Sequence, residues 1–444
     1  RYSLLFEVGY KGDFMNKIYN EVIRETIYYD SLENGLEVYY MPKKGYTNKY
    51  AVLGVDFGSN DLDFIPIGES ERIRVQEGIA HFLEHKMFEQ PDGGNAFDKF
   101  SKLGASANAF TSFTMTAYLF SATDNFMESL DHLIGYVQTP YYTDENVNKE
   151  KGIIAQEIKM YEDDPEWNVY FNCLKAMYSK HHANIDIAGS VESINKISPE
   201  DLYKCYRTFY NPANMKLFVV GDLDVEELMS TIKKANHKDL AFDKDIRSFM
   251  PEEPIEVNQK KIVEEFMVSM PLFYIGYKDV KKDMESREAL KNEIRTDILF
   301  DMIFSESGDL HQVLYNNGLL VGNISGGYLS QKDYAYAIAS GVSRDPEKLK
   351  QVVDSYIDGI RKSGLDRQDF EINKKKKIGC FLKSFDSIAY IANNFLSYRF
   401  RGINFLDYLE VLKEVRFEDV VDRFDEFFCQ DQSVISIVKP KLEN

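Results

Sequence analysis

The amino-acid sequence predicts an α+β protein made of two tandem, homologous domains, each an antiparallel-rich sheet packed with helices. The chain has 444 residues, more than usually fold around a single hydrophobic core. Segments with strand periodicity alternate with longer helical patterns, and the same order of elements recurs after a polar stretch at residues 237–258. We therefore expect one domain at residues 15–240, a linker at 241–258 and a second domain at 259–444.

The first domain is expected to open with a β-hairpin across residues 25–42. Apolar and polar residues alternate on both sides of Asn34–Gly35, and Asn-Gly is a strong signal for a two-residue turn. Further strands are predicted at residues 51–58, 105–113, 116–123 and 216–222. Helices are predicted at residues 75–88, 96–102, 124–138, 143–163, 166–179, 199–209 and 224–236.

The second domain is expected to repeat this order. The predicted elements are a strand at residues 266–278, helices at 295–305 and 309–318, strands at 323–331 and 334–342, and a helix at 346–360. The lysine run at residues 374–377 lies in a further helical stretch. Charge runs usually form a solvated helix face, so we predict that here in preference to an anion site.

Net charge and composition limit the classes of partner. Hydrophobic residues make up 44% of the chain and charged residues 28%, which is typical of a globular protein. The net charge of −19 argues against a nucleic-acid or anionic-membrane partner. It is compatible with neutral or basic peptides as ligands, although the excess acid also serves solubility. No apolar run approaches the length that crosses a bilayer.

The cysteines and the N-terminus favour a cytoplasmic location. The sequence has no CxxC pair, which argues against a disulfide framework and against a thiolate zinc site. Its four cysteines are widely spaced: Cys173, Cys205, Cys380 and Cys429. The N-terminal residues lack the basic-then-apolar layout of a secretory signal. Because Met15 offers a natural start, we expect residues 1–14 to be an extra or non-native segment.

The segment HFLEH at residues 81–85 is the strongest chemical signal in the chain. On a helix, positions i and i+4 lie on the same face, so His81 and His85 can direct their imidazoles at one ion. Glu84 lies close to that face, within reach of a water on the ion. Zinc is the natural metal for such donors, and a neighbouring carboxylate can take the proton of the attacking water. Two histidines at this spacing are also common as surface or cap residues, so a third ligand is needed.

Candidate third ligands lie on the predicted helix at residues 143–163. Glu150 and Glu157 are seven residues apart, which places them two turns apart on one face. Physical reasoning alone leaves four candidates open, and solvated helix carboxylates remain the ordinary explanation for most of them. The four are Glu145, Glu150, Glu157 and Glu162.

These motifs resemble the inverzincins, the zinc peptidase family of insulinase, pitrilysin and mitochondrial processing peptidase, and most of all their shorter bacterial members. HFLEH and the later EKGIIAQE match the family's HxxEH signature, and GIAHFLEHKMF, LGASANAFTSFTMTAY and FYNPANMKLFVVGD match further landmarks. In that family a glutamate ligand follows well downstream of the second histidine, and another glutamate precedes it by two helical turns. The resemblance implies that Glu157, 72 positions after His85, is the third ligand and that Glu150 orients or assists the catalytic centre.

The resemblance further implies a zinc-dependent endopeptidase. One Zn²⁺ per chain would be held by His81, His85 and Glu157, and Glu84 would be the catalytic base. The substrate would be an extended peptide or a small unfolded protein.

The resemblance also assigns the strand SANAFTSF as a peptide-binding edge. In relatives an extended substrate adds to this strand through main-chain hydrogen bonds. Asn108, Ala109 and Phe110 would then flank the scissile bond, with Asn108 offering a side-chain hydrogen bond. The small and polar residues of this strand suit an accessible edge better than a buried centre.

The second half departs from the family pattern. Active relatives carry an Arg and a Tyr there, which bind the substrate and help to stabilise the oxyanion. The corresponding stretch here, LHQVLYNNGLLVG, has Tyr315 at the Arg position and Val321 near the Tyr position. The counterpart of HFLEH, expected within residues 299–306, has no histidine.

This departure predicts a partner. A closed clam-shell chamber in this family needs four such domains, so the chain would form half of one. We expect it to be the zinc-bearing subunit of a heterodimer whose second family subunit supplies the Arg/Tyr pair, with a homodimer as the alternative. The rival function is a non-catalytic peptide-binding or assembly subunit on the same fold, and metal content discriminates between the two.

Overall fold

The computed structural model describes residues 15–236, 246–279 and 284–441. The predicted extra segment at residues 1–14 and the first part of the predicted linker, up to residue 245, lie outside the described residues. Among the helices of the described ranges, none is both long and apolar enough to cross a bilayer.

The first half of the chain holds a large sheet, a separate small sheet and the helices between their strands. Its strands are β1 (Asn16–Asn20), β2 (Glu25–Ser31), β3 (Glu37–Pro42), β4 (Lys49–Val55), β5 (Asp63–Ile65), β6 (Ile73–Arg74), β7 (Ser106–Thr111), β8 (Thr116–Ala122), β9 (Met215–Gly221) and β10 (Arg247–Ser248). Its helices are α1 (Ile79–Met87), α2 (Ala96–Leu103), α3 (Phe126–Val137), α4 (Asp144–Glu162), α5 (Pro165–Met177), α6 (Val191–Asn195), α7 (Pro199–Phe209) and α8 (Val225–Ala235).

The second half has the same kinds of element. Its strands are β11 (Lys261–Phe266), β12 (Leu272–Asp279), β13 (Leu320–Ser330), β14 (Ala335–Ser343) and β15 (Ser433–Pro440). Its helices are α9 (Ser286–Phe304), α10 (Asp309–Asn316), α11 (Pro346–Ser363), α12 (Arg367–Ser384), α13 (Ile388–Phe400), α14 (Tyr408–Glu414) and α15 (Phe417–Phe427).

Local sequence signals set the starts of the helices that matter most for the site. Thr143 caps α4 through a capping box with Asn146, so that two backbone N–H groups at the helix start are satisfied. Asp366 caps the equivalent helix α12 by accepting from the N–H of Asp369. The first residue of each of these two helices is therefore set by capping residues within one turn of it.

The large sheets of the two halves share an arrangement of five strands, β3-β9-β4-β8-β7 in the first and β11-β15-β12-β14-β13 in the second. Within the described residues, the first runs in the order β1-β2-β3-β9-β4-β8-β7 and the second in the order β11-β15-β12-β14-β13. The pairs β3–β9 and β11–β15 are parallel, and the other pairs of the shared arrangement are antiparallel. Helices α9 to α15 follow these strands in the same order as α1 to α7. The predicted α+β fold with two tandem homologous domains is thus confirmed, whereas the residue numbers of its boundaries stay predictions.

Each half packs one helix onto the sheet of the other. Helix α13 lies on β4 and β9, and its counterpart α5 lies on β12 and β15. Both crossings pass a glycine of the central strand. A Cβ at Gly54 would lie 2.9 Å from the Phe400 ring, and a Cβ at Gly276 would lie 2.7 Å from Cys173 Sγ. A side chain at either position would displace these atoms, so glycine allows both close approaches, and the exchange of helices joins the halves into one packed unit.

Two predicted boundaries in the first half differ from the structure. The hairpin β2–β3 is present, but Ser31 pairs with Glu37, so the loop spans residues 32–36 and is longer than the predicted two-residue turn. A turn closed by the N–H of Gly35 on the Leu32 carbonyl makes up most of that loop. The helix predicted from residue 75 begins only at Ile79, because Gly78 before it has φ 85°.

The strand predicted at residues 266–278 begins later, at Leu272, and it is preceded by β11, which was not predicted. β11 ends at Phe266 and β12 begins at Leu272. They lie on opposite sides of β15, one parallel and one antiparallel to it. The prediction extended to Phe266 because β15, the strand that lies between β11 and β12, comes from a remote part of the chain.

The predicted linker takes part in the packing. Its strand β10 pairs with β5, and Glu253 is buried beyond it. The Glu253 carboxylate accepts from Lys278 Nζ at 2.6 Å and from backbone N–H groups of residues 179–181 after α5. This carboxylate therefore ties the end of α5 to β12 of the other half.

The solvated-face prediction for the lysine run is correct only for Lys375 and Lys376, which are exposed. Lys374 donates to backbone carbonyls at the end of α14. Lys377 lies between two carboxylates of α9. The prediction is wrong for these two residues because their partners are remote in sequence.

Candidate metal centre

Helix α1 directs His81 and His85 toward α4. The chain enters this helix through Gly78, which packs closely on the loop at Ala188. A Cβ at Gly78 would lie 2.3 Å from the Ala188 carbonyl oxygen. The opposite face of the helix is buried in the core, and this orients the histidines. The buried apolar residues are Ile79, Ala80, Phe82, Leu83 and Met87.

The donor atoms of His81, His85 and Glu157 converge. Glu157 Oε1 lies 3.7 Å from His81 Nε2, and Glu157 Oε2 lies 3.4 Å from His85 Nε2. One ligand atom from each of the three residues lies within 4.8 Å of the others. Tetrahedral zinc with bonds of about 2.0–2.2 Å sets its ligand atoms roughly 3.3–3.6 Å apart. Two imidazoles and one carboxylate at this spacing therefore fit zinc with a fourth position left open.

The protonation states also suit a metal. Burial, followed by the charge of His85, lowers the pKa of His81 to about 3, so its ring is neutral at pH 7. The Nδ1 of His81 is buried and has no hydrogen-bond partner among the described residues, and its Nε2 faces Glu157. For His85, burial favours the neutral form, but the hydrogen bond to Glu150 and the nearby carboxylates of Glu84 and Glu157 raise the pKa overall. A metal ion bound at His85 Nε2 would replace the proton that the charged form of the ring carries there.

Glu150 supports His85 from the other side of the ring. Its Oε1 lies 3.1 Å from His85 Nδ1. A carboxylate in this position fixes the orientation and tautomer of a metal-binding histidine. Lys86, whose side chain is fully buried, pairs with Glu89 and lies 3.8 Å from Glu150. Glu150 is thus placed as a positioning residue for His85, and its predicted assistance to catalysis stays a prediction.

Glu84 lies beside the ligand cluster and is nearly buried. Thr111 Oγ1 donates to Glu84 Oε2 at 2.6 Å. Burial raises the pKa of Glu84, while the Thr111 hydrogen bond acts in the opposite direction. A carboxylate with a raised pKa, held at one oxygen, is suited to accept a proton at the other. Sequence reasoning missed Thr111, although it lies in the same strand as the predicted substrate residues.

A second supporting residue that sequence reasoning missed is Tyr161. Its hydroxyl donates to Glu157 Oε1 at 2.9 Å. The Tyr161 ring stacks on Trp167, with centroids 4.6 Å apart, so its position is fixed by packing. The spacing of four residues after Glu157 on one helix was the available signal.

The predicted substrate residues lie on an exposed edge. Strand β7 is the last strand of the first sheet and carries Asn108, Ala109 and Phe110. Asn108 is exposed, and its Oδ1 accepts from the N–H of Ala109 at 2.9 Å. Because β7 also carries Thr111, the edge strand and Glu84 are directly joined.

The other sequence candidates lie outside the cluster. Glu145 and Glu162 are exposed on α4. Tyr315, at the predicted Arg position, is 60% exposed on α10 and stacks parallel to His311. Val321 lies on β13.

Comparison with known proteins adds the family. Residues 64–190 match the family model described as Insulinase (Peptidase family M16), and this range contains the whole ligand cluster. Residues 196–377 match the model described as Peptidase M16 inactive domain.

Individual relatives match nearly the whole chain. A Bacillus subtilis (strain 168) protein named uncharacterized zinc protease YmfH is 40% identical over 95% of this chain and 98% of its own length. The crystal structure of a putative M16-like peptidase from Alicyclobacillus acidocaldarius has a TM-score of 0.89 at 35% identity, covering 94% of this chain and 99% of that one. A protease from Helicobacter pylori shares the fold, with a TM-score of 0.80 at 20% identity over 96% of this chain and 100% of that one. This chain therefore belongs to the insulinase (M16) family of peptidases.

Proposed function

We propose that this chain is a zinc-dependent endopeptidase that hydrolyses extended peptides or small unfolded proteins inside a closed chamber. The observation that carries the proposal is the convergence of His81, His85 and Glu157 beside a nearly buried Glu84. The donor set is that of catalytic zinc sites, which keep one position open for water or substrate.

Each residue of the site would have a distinct role in peptide hydrolysis. His81, His85 and Glu157 would hold one zinc ion per chain, and the bound ion would polarise the scissile carbonyl and acidify a water. Glu84 would take the proton of that water and pass it to the leaving amine. Thr111 holds one oxygen of Glu84, which leaves the other free for this transfer.

Strand β7 supplies the surface on which the peptide would lie. An added strand would pair with the outer edge of β7 through main-chain hydrogen bonds. The N–H of Ala109, now bonded to Asn108 Oδ1, is one group that a substrate carbonyl could take over. This pairing would place the scissile bond along β7, whose Thr111 hydroxyl donates to Glu84.

The test is the pair Glu84→Gln and Glu145→Gln. We expect Glu84→Gln to lower hydrolysis of an unfolded protein substrate by at least about 100-fold, the usual effect of removing a general base. Zinc per chain should stay unchanged, because Glu84 is outside the ligand set. Glu145→Gln removes an exposed carboxylate of α4 and should change neither quantity. Undiminished turnover in Glu84→Gln would remove the base assignment.

We further propose that the chain is the zinc-bearing subunit of a heterodimer. The support is that Tyr315 and Val321 stand where an Arg and a Tyr are expected from the family resemblance. Purification from the native cell should recover a second family member bound to this chain. A homodimer with full peptidase activity would contradict this part of the proposal.

Tyr315 and Val321 at the expected Arg and Tyr positions also fit a second function, that of a non-catalytic peptide-binding or assembly subunit. Zinc content separates the two. A chain that binds no zinc when zinc is offered, yet still binds extended peptides, would favour the second function.

A further inference from the structure

The second half contains a helix pair equivalent to the pair α1–α4 that holds the candidate metal centre. By strand and helix order, α9 corresponds to α1 and α12 to α4, and α9 packs on α12 as α1 packs on α4. Helix α9 carries Asp297 and Asp301, which have the same i, i+4 spacing as His81 and His85. The counterpart expected within residues 299–306 includes Asp301 but not Asp297.

Lys377 of α12 faces both aspartates. Its Nζ lies 3.6 Å from Asp297 Oδ2 and 3.2 Å from Asp301 Oδ2. The side chain is only 15% exposed, whereas the neighbouring Lys375 and Lys376 are exposed. One residue of α12 therefore lies between two residues of α9, as Glu157 of α4 lies between His81 and His85.

The surroundings of this cluster set the charge of Asp297. Glu293, one turn before Asp297, is itself paired with Arg401 at 2.6 Å and so does not compete for Lys377. Burial raises the pKa of Asp297 to about 6, and Lys377 acts in the opposite direction. Because this pKa lies below 7, the Asp297 carboxylate is ionised at neutral pH. The two carboxylates are only about a quarter exposed, at 26% and 27%, and a positive charge between them offsets the cost of removing them from water.

We propose that the Lys377 ammonium takes, in the second repeat, the place that a divalent cation takes in the first, and that it closes the second helix pair to metal ions. In the first pair, two imidazoles and one carboxylate leave the cation to be supplied from outside. In the second pair the cation is part of the chain. The proposal is independent of peptidase activity.

The test replaces Lys377 in the zinc-loaded full chain and uses Mn²⁺ as the probe. Lys377→Glu leaves three carboxylates in the arrangement of the first ligand set, and oxygen donors suit Mn²⁺. Zinc already held by the nitrogen ligands of the first site should resist exchange, because Mn²⁺ binds such sites more weakly. We expect about one additional Mn²⁺ per chain by equilibrium dialysis, and a Tm that rises by roughly 2–4 °C or more when Mn²⁺ is added.

Lys376→Glu is the matched control. It makes the same charge change one residue away on the exposed face of α12. Neither this variant nor the wild-type chain should bind additional Mn²⁺ or gain Tm from it. If Lys377→Glu is folded by circular dichroism and binds no more Mn²⁺ than Lys376→Glu, the proposal is overturned. An additional Mn²⁺ on the wild-type chain at the same cluster would overturn it as well.

A second variant covers the case in which Lys377→Glu does not fold. Lys377→Gln removes the ammonium without adding a negative charge and leaves the two aspartates of α9. We expect Mn²⁺ to raise the Tm of Lys377→Gln but not that of the wild-type chain. Equal insensitivity of the two proteins would mean that Lys377 only packs there, and the proposal would fail.

Discussion

The helix pairs α1–α4 and α9–α12 occupy equivalent places in the two repeats, yet their charges are arranged in opposite ways. The first pair gathers two imidazoles and a carboxylate, and the second gathers two carboxylates and an ammonium. The first set contains no cation of its own, whereas the second already contains one, the Lys377 ammonium. The fold supplies the same two facing helices in both cases, and the residues on them decide whether a metal is needed.

Removing a histidine from the first pair should have the largest effect. We expect His85→Ala to lower zinc from about one ion per chain to nearly none, because a protein zinc site of three ligands rarely survives the loss of one. Elemental analysis after dialysis measures this. His311→Ala, on α10 of the second repeat, is the control and should keep its zinc. Full zinc content in His85→Ala would break the assignment of the site to the first pair.

The two helix pairs also differ in the residue that lies seven positions before the central one on the second helix. In the first pair Glu150 lies seven residues before Glu157 and holds His85, whereas in the second pair the buried Phe370 lies seven residues before Lys377. We expect Glu150→Gln to weaken zinc binding by roughly 10–100-fold without abolishing it. Competition with a chelator of known affinity gives the ratio. An unchanged zinc affinity would show that His85 needs no carboxylate support.

The two repeats should respond alike where only packing is tested. Gly54→Ala and Gly276→Ala each place a methyl group against a helix exchanged from the other half. Overpacking of this kind costs about 1–3 kcal/mol, so both variants should lose stability by similar amounts. Urea unfolding measures the difference, and Gly359→Ala on α11, where no atom lies near the added Cβ, serves as control. A loss in only one of the two variants would contradict the equivalence of the crossings.

The last effect is expected at the Glu253 carboxylate, which ties the halves together, and it depends on pH. Burial raises the pKa of Glu253, but hydrogen bonds from Lys278 and from backbone N–H groups lower it overall, below its ordinary 4.5. A carboxyl whose folded pKa is lowered stabilises the protein above its unfolded pKa, and this contribution is lost as pH falls through the folded pKa. We expect Glu253→Gln to cost about 1–3 kcal/mol at pH 7 and less below pH 4.5.

Urea unfolding of the wild-type chain and Glu253→Gln at pH 7 and at pH 4 gives this difference. Glu252→Gln, next to it and exposed, is the control. A difference between wild type and Glu253→Gln that does not shrink at the lower pH would mean that the Glu253 charge contributes nothing.

Much of the candidate site could be predicted from the sequence because its parts are local. His81, Glu84 and His85 share two turns of one helix, and Glu150 and Glu157 share one face of another. Helical periodicity alone places each set on a common face. Choosing Glu157 among the glutamates of α4 took the family resemblance, and the convergence of its carboxylate on both imidazoles is a tertiary result.

The sequence by itself determined the class of fold, the repeat and the chemical types at the site. Their signals are periodicity, turn residues and spacing, all of which act within a few residues. Only the tertiary structure decided that Thr111 meets Glu84, that α5 and α13 exchange sheets, and that Lys377 turns inward while Lys376 stays in water. The reason is that a polar or charged side chain is buried only where a partner awaits it, and these partners come from elements remote in the sequence.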